Sequence, residues 1–336
     1  MAQTSSDITD VLIVGAGPAG LSAATVLARL LWTTVMFDSG EYRYKASKHY
    51  HMVPGYDHQS LMTYLGDIRS DLNARYKTNT IVNAKAEQIS KIESGEHSGL
   101  FQITSSNGQQ WLGRKVVLAF GNLEQFPDIA GYQDCWIKGI FHCQVHRGFE
   151  VAGCEMAGVL AVESDASLFK ARHLALEAKA IAQRVTIYTN GNEALGAEVK
   201  DALAEWPQGL YTFNNSPIER LVKGARASDV DIHLEGGAVE TVNYIIHRPK
   251  PVLPGSFVEQ LGLELDNSGI INPGFIKVGG IFNETNVPGI FAVGDCASAF
   301  KVVVSGVNMG AFTAAGLAAQ LGNEVPSRHG FACTAP

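Results

Sequence analysis

One short stretch near the start of the chain limits the fold more than any other. The apolar run Val11-Leu12-Ile13-Val14 meets Gly15-Ala16-Gly17-Pro18-Ala19-Gly20, and an Ala/Leu-rich stretch from Leu21 to Leu30 follows. A short, wholly apolar run reads as a strand buried on both faces, and the longer stretch reads as a helix. Thr33 to Phe37 supply a second buried strand that ends at Asp38. This order is a βαβ unit whose first turn carries the Gly-x-Gly-x-x-Gly dinucleotide fingerprint. Gly15 permits the tight turn, Gly17 lets backbone N–H groups approach a pyrophosphate, and Gly20 lets helix and strand pack closely. Pro18 and Ala19 open the helix, whose N-terminus favours the negative phosphates. Asp38 stands where a carboxylate accepts hydrogen bonds from ribose hydroxyls.

A chain of 336 residues predicts more than one core. Lys115 to Gly121 reads as a further strand running into a glycine turn, after a hairpin signal at Ser105-Ser106-Asn107-Gly108. A second α/β unit follows: the strand Gly158 to Val162, a helix over Leu168 to Ala182 and the strand Val185 to Tyr188. Short strands with Gly-rich turns fill Ile218 to Ile246, and Ile290 to Val293 forms a last strand leading to Gly294-Asp295 and a small-residue helix over Val307 to Leu321. Charged residues make up only 18% and the net charge is −7, which argues against disorder and against coating a nucleic acid. No uninterrupted apolar run reaches about 18 residues, so no membrane span is expected. The polar start Met1 to Asp7 has no secretion signal, and five widely spaced cysteines are no disulfide framework. A cytoplasmic protein with reduced thiols is expected.

The second unit lacks what a nicotinamide nucleotide needs. Its turn reads Val162-Glu163-Ser164-Asp165-Ala166-Ser167, without a glycine for close backbone approach and with two acids facing the phosphate position. After the next strand comes Thr189-Asn190-Gly191-Asn192, with no arginine for a ribose 2′-phosphate. No NADPH is therefore expected.

Gly289-Ile290-Phe291-Ala292-Val293-Gly294-Asp295 resembles the second FAD signature of two-dinucleotide-binding-domain flavoproteins, and Ala119-Phe120-Gly121 resembles their interdomain Ala-Thr-Gly crossover with Phe in place of Thr. The segment Gly139 to Glu150, containing Cys143-Gln144-Val145-His146, resembles the redox segment of low-molecular-weight thioredoxin reductases. With Phe37-Asp38-Ser39-Gly40, Tyr42-Arg43, His51 to His58, Gly113 to Ala119 and Gly294 to Ser298, the chain looks closer still to the fungal thioredoxin-reductase-like dithiol oxidases of epidithiodiketopiperazine pathways, the gliotoxin-oxidase type.

That resemblance implies an α/β two-dinucleotide-binding-domain flavoprotein. Residues 1–122 and 253–336 would form the FAD domain, interrupted over 123–252 by a degenerate NADPH-type domain. It implies FAD held by Gly15, Gly17, Pro18, Ala19, Gly20, Asp38, Ser39, Arg43, His51, Gly121, Gly294 and Asp295. Met52 stands where relatives carry an Asn. It also implies a homodimer acting on a small dithiol or disulfide, with O2 as electron acceptor in the oxidase variant. In this family the first Cys of a Cys-x-x-Cys pair exchanges with substrate and the second passes electrons to flavin. Here Cys143 matches the first and His146 takes the second place, so no internal disulfide can form and no thioredoxin partner is expected. Cys143 and His146 are the expected catalytic pair: the thiolate attacks a substrate disulfide and the imidazole moves the proton. The outcome expected is a formed or rearranged bridge, such as the α,β′-disulfide of aspirochlorine-type pathways. A conventional dithiol oxidase and a non-catalytic dithiol-binding flavoprotein are the alternatives. His49, His51 and His58 read as flavin or substrate packing, with no metal expected, and Cys135, Cys154, Cys296 and Cys333 as bystanders.

Overall fold

The computed structural model describes residues 8–269 and 272–325, so Met1 to Asp7 and Cys333 lie outside the described residues. The chain divides into two compact units, residues 1–123 with 253–336, and residues 124–252.

The first unit begins with β1 (Thr9–Val14), α1 (Pro18–Arg29) and β2 (Thr34–Phe37). Strand β1 runs parallel to β2 on one side. Its alternate residues serve two different cores: Val11 and Ile13 join one cluster, Leu12 and Val14 the other. That two-sided burial is why the run is apolar throughout rather than alternating. Helix α2 (Leu61–Arg75) starts where the Ser60 hydroxyl accepts from the Thr63 N–H at 3.0 Å. Strands β3 (Asn79–Val82), β4 (Ala86–Lys91), β5 (Phe101–Ser105) and β6 (Gln110–Leu118) complete the N-terminal part.

The second unit takes up β7 (Leu123–Gln125), α3 (Tyr132–Cys135), β8 (Ile140–Phe141), α4 (Gln144–Arg147), β9 (Met156–Leu160), α5 (Leu168–Lys179), β10 (Arg184–Tyr188), α6 (Glu193–Ala202) and β11 (Tyr211–Asn214). The antiparallel strands β12 (Ile218–Lys223), β13 (Val230–Leu234) and β14 (Val239–Val242) follow. Then come β15 (Tyr244–Ile246) and β16 (Lys250–Val252). The main sheet has the order β11-β10-β9-β15-β8, all parallel, with α5 as the crossover between β9 and β10.

The chain then completes the first unit with α7 (Phe257–Leu261), β17 (Leu265–Asp266), β18 (Phe275–Ile276), β19 (Ile290–Ala292) and α8 (Val303–Glu324). Its sheet runs β3-β2-β1-β6-β5-β4, and β19 adds in parallel along Val116 to Leu118 of β6. Helix α8 lies on α1 so closely that a Cβ at Gly310 would sit 2.3 Å from the Ala19 carbonyl oxygen. The Ser22 hydroxyl donates across this contact to the Val307 carbonyl at 2.7 Å.

Candidate dinucleotide cradle and Cys-x-x-His turn

Three glycines of the first turn are glycine for different reasons. Gly15 has φ of +110°, and a Cβ there would lie 2.3 Å from the Ala119 carbonyl oxygen. A Cβ at Gly20 would lie 2.0 Å from the Gly15 carbonyl oxygen. Packing of the protein itself therefore demands both. Gly17 differs: its backbone is extended, with φ of −77°, and a Cβ would meet no atom within 4 Å. Nothing in the chain requires glycine at that position. A pyrophosphate drawn to the uncapped N-terminus of α1 would have the charge and size to need that space. The residues present fit a dinucleotide.

The polar side chains around this turn are more committed than their sequence suggests. Asp38 ends β2 as expected, but its oxygens are already engaged. Oδ1 accepts from the Gly40 N–H at 2.9 Å, Tyr42 OH lies 2.6 and 2.7 Å from the two oxygens, and Arg69 reaches Oδ2 at 2.7 Å. Burial, reinforced by the Asp38 hydrogen bond, pushes the Tyr42 phenol up to about 12, which keeps it a donor. Any further donor reaching Asp38 would have to share the carboxylate with Tyr42 and Arg69. Arg69, from the middle of α2, also donates to the Ala16 carbonyl at 3.2 Å and bridges the glycine turn to β2. Sequence reasoning missed it, because a cation amid the charged face of a helix carries no signal.

Across the first unit, Arg43 pairs with Asp295 at 2.9 Å, and Lys301 donates to the Asp295 carbonyl oxygen at 2.6 Å. Arg43 and Asp295 stand 252 residues apart in sequence and meet as one ion pair. Gly294 is buried at the end of β19, Ser39 is exposed, and His51 is buried with its Nδ1 2.9 Å from Asp57 Oδ1.

In the second unit, Cys143 is the N-cap of the single turn α4 and His146 is the third residue of that turn. A side chain at the N-cap faces the third helical position, so the fold gives this pair a common face. The Cys143 sulfur makes no capping hydrogen bond and the residue is half-buried, whereas His146 is buried at 7% exposure. The turn is held from several sides. Gln144 contacts Tyr244 OH at 2.8 Å, Arg147 lies over the Phe141 ring, and Arg248 Nε donates to the His142 carbonyl at 3.3 Å. Arg248 also pairs with Glu177 of α5 at 2.7 Å. The other described thiols are built as bystanders: burial raises Cys135 and Cys154, and pushes Cys296 up to about 12.

The turn after β9, which would carry the pyrophosphate of a second dinucleotide, is filled by protein groups. Glu163 occupies the left-handed region with φ of +44°. Asp165 is buried, accepts from the Arg248 N–H at 2.7 Å, and is pushed up to about 6, chiefly by burial. Lys170 Nζ donates to the Ser164 carbonyl at 2.6 Å across the same turn. Two acids and their backbone and lysine contacts thus occupy this turn. Beside Arg248 in sequence, His247 is wholly buried, sits 2.7 Å from Tyr132 OH through Nδ1, and is pushed down to about 4 by burial.

These two groups act in opposite senses on stability. Between about pH 4 and 6 the folded Asp165 keeps a proton that the unfolded chain has released, so its contribution falls as pH rises. Folded His247 refuses a proton that the unfolded chain takes below its ordinary value, so its contribution falls as pH drops through the same window. Each is worth about 3 kcal/mol at most, and they offset each other. Asp165→Asn keeps the acceptor for Arg248 and removes one of the pair. The variant is expected to melt higher than the parent at pH 7 and to lose stability steeply on acidification, which thermal unfolding across that window measures.

A sheet completed by its last strand, a glycine turn shaped for pyrophosphate and a second α/β unit define a two-domain FAD/NAD(P)-type flavoprotein, as expected from the sequence. The chain belongs to the pyridine nucleotide-disulphide oxidoreductase family, whose profile matches residues 9–310, and it is a FAD-dependent thiol/disulfide oxidoreductase related to the thioredoxin reductases. Thioredoxin reductase aclD of Aspergillus oryzae is 38% identical over 316 residues, covering 93% of this chain and 96% of that one. Thioredoxin reductase sirT of Leptosphaeria maculans is 35% identical over 331 residues, covering 97% and 98%. Among solved structures, HlmI matches with a TM-score of 0.82 and 25% identity, covering 96% of each chain. An oxidoreductase from Agrobacterium tumefaciens, at 24% identity and a TM-score of 0.81 over 96% of this chain and 100% of its own, shares the fold. No helix among the described residues is long and apolar enough to cross a membrane.

Proposed function

We propose that this oxidoreductase acts on the sulfur atoms of a small dithiol or disulfide of the epidithiodiketopiperazine class and forms or rearranges a disulfide bridge, with an α,β′-disulfide and migration of one sulfur as the favoured outcome. The observation that carries this reading is the turn in which a half-buried thiol, Cys143, caps a helix whose third residue is a buried imidazole, His146. Bound FAD supplies a two-electron acceptor, which O2 restores if the net reaction is an oxidation. The chain's own residues do the rest. His146 takes the proton from Cys143 Sγ, and the thiolate breaks the substrate S–S bond as it forms a Cys143–substrate disulfide. The displaced substrate sulfur receives the proton back from His146. One S–S bond is exchanged for another, so this step moves no net electrons.

The reading dispenses with NADPH, supported by the acid-filled turn at Glu163 and Asp165. It dispenses with thioredoxin because the turn holds no second cysteine. The chain would work as a homodimer, held as its relatives' fold suggests, with Gly15, Gly17, Pro18, Ala19, Gly20, Ser39, Arg43, His51, Gly121, Gly294 and Asp295 around FAD. The test is anaerobic mixing of the yellow holoenzyme with an epidithiodiketopiperazine, in its disulfide and its reduced form, or with NADPH, following flavin absorbance and product mass. Sulfur-containing product from the first mixture and no fast bleaching in the second are expected. Rapid bleaching by NADPH overturns the cofactor assignment.

A further inference from the structure

The loop between β2 and α2 folds back on itself. The Tyr50 N–H donates to the Gln59 carbonyl at 2.6 Å, which sets residues 49–51 beside residue 58. Three histidine rings converge there. Their centroids are 4.7 Å apart for His51 and His58, 5.7 Å for His49 and His58, and 6.2 Å for His49 and His51, with planes near perpendicular. One ring nitrogen of each lies within 4.8 Å of the others. Bonds of about 2.0–2.1 Å to a tetrahedral ion put ring centres ~3.2 Å from the metal and ~5.2 Å from each other, a value the observed spacings bracket.

Edge-to-face packing alone gives similar spacings, so the orienting group decides. Asp57 serves two of the rings: Oδ1 lies 2.9 Å from His51 Nδ1, and Oδ2 lies 3.5 Å from His58 Nε2. A carboxylate accepts, so His51 carries its proton on Nδ1 and would bind a metal through Nε2. A carboxylate that fixes the tautomer of a ligating imidazole is the customary outer shell of a metal site.

We propose that His49, His51 and His58 form a three-histidine site for a divalent transition metal of the zinc type, oriented by Asp57. Imidazole donors suit zinc, copper and nickel. The test uses the flavin-loaded protein, stripped with a chelator, charged with ZnCl2 and dialysed against metal-free buffer. Elemental analysis is expected to find about one zinc per chain. Calorimetric titration with ZnCl2 is expected to show affinity lowered on the order of 100-fold in His58→Ala and about 10–100-fold in Asp57→Asn, at unchanged flavin content. His58 and Asp57 are exposed side chains, so neither change threatens the fold. Loss of all zinc from the parent protein on dialysis, or equal retention by His58→Ala, overturns the proposal.

Discussion

Gly17→Ala is expected to yield a folded protein that no longer retains FAD. The added methyl meets no protein atom within 4 Å and demands no unusual backbone, so the chain has room for it. Alanine is a poorer N-cap than glycine, which costs α1 no more than about 1 kcal/mol. The same methyl stands where a pyrophosphate must touch the backbone, and loss of that approach should weaken FAD binding by on the order of 100-fold or more. Gly15→Ala is the contrasting case. There the methyl would sit 2.3 Å from a carbonyl oxygen and the backbone lies at φ of +110°, so the fold itself should fail. Flavin content by absorbance and melting by circular dichroism separate the two. A Gly17→Ala protein that stays yellow through gel filtration would remove the reason for glycine at this position.

Cys143→Ser should abolish formation of the rearranged product, by on the order of a thousandfold or more, while flavin content and melting stay at parent values. Serine preserves the size of a residue that makes no capping hydrogen bond, so a structural effect is not expected. His146→Gln should cost about 10²–10⁴-fold and flatten the acid limb of the pH–rate profile, because an amide cannot carry the proton. The profile matters, since packing damage at a buried residue would lower the rate without changing its shape. Product mass and rate after mixing with a disulfide diketopiperazine measure both. An unchanged product distribution from Cys143→Ser would leave the turn with no chemical role.

Much of the frame is legible in the sequence because two-sided burial leaves an unmistakable trace. Val11 to Val14 and Ile290 to Ala292 are apolar without alternation, Val185 to Tyr188 breaks the run only at Thr186, and each pairs in parallel. Helix α2 is different: its buried positions Leu61, Tyr64, Leu65 and Leu72 do recur at helical spacing, a signal the sequence reading passed over. The polar contacts of the cradle were legible only as separate letters. Asp38 reads as a free acceptor until Tyr42 and Arg69 are seen upon it, and nothing local to Arg43 announces Asp295. Convergence of His49, His51 and His58 is likewise a property of the Tyr50–Gln59 closure rather than of spacing.

The position of β19 has a bearing on synthesis. On the ribosome, Val116 to Leu118 of β6 emerge early and wait without their parallel neighbour until residues 290–292 have been made. By then residues 124–252, a contiguous stretch, have left the exit tunnel and can ripen alone. The nascent N-terminal sheet therefore keeps a bare edge until residues 290–292 arrive, the state most prone to aberrant pairing.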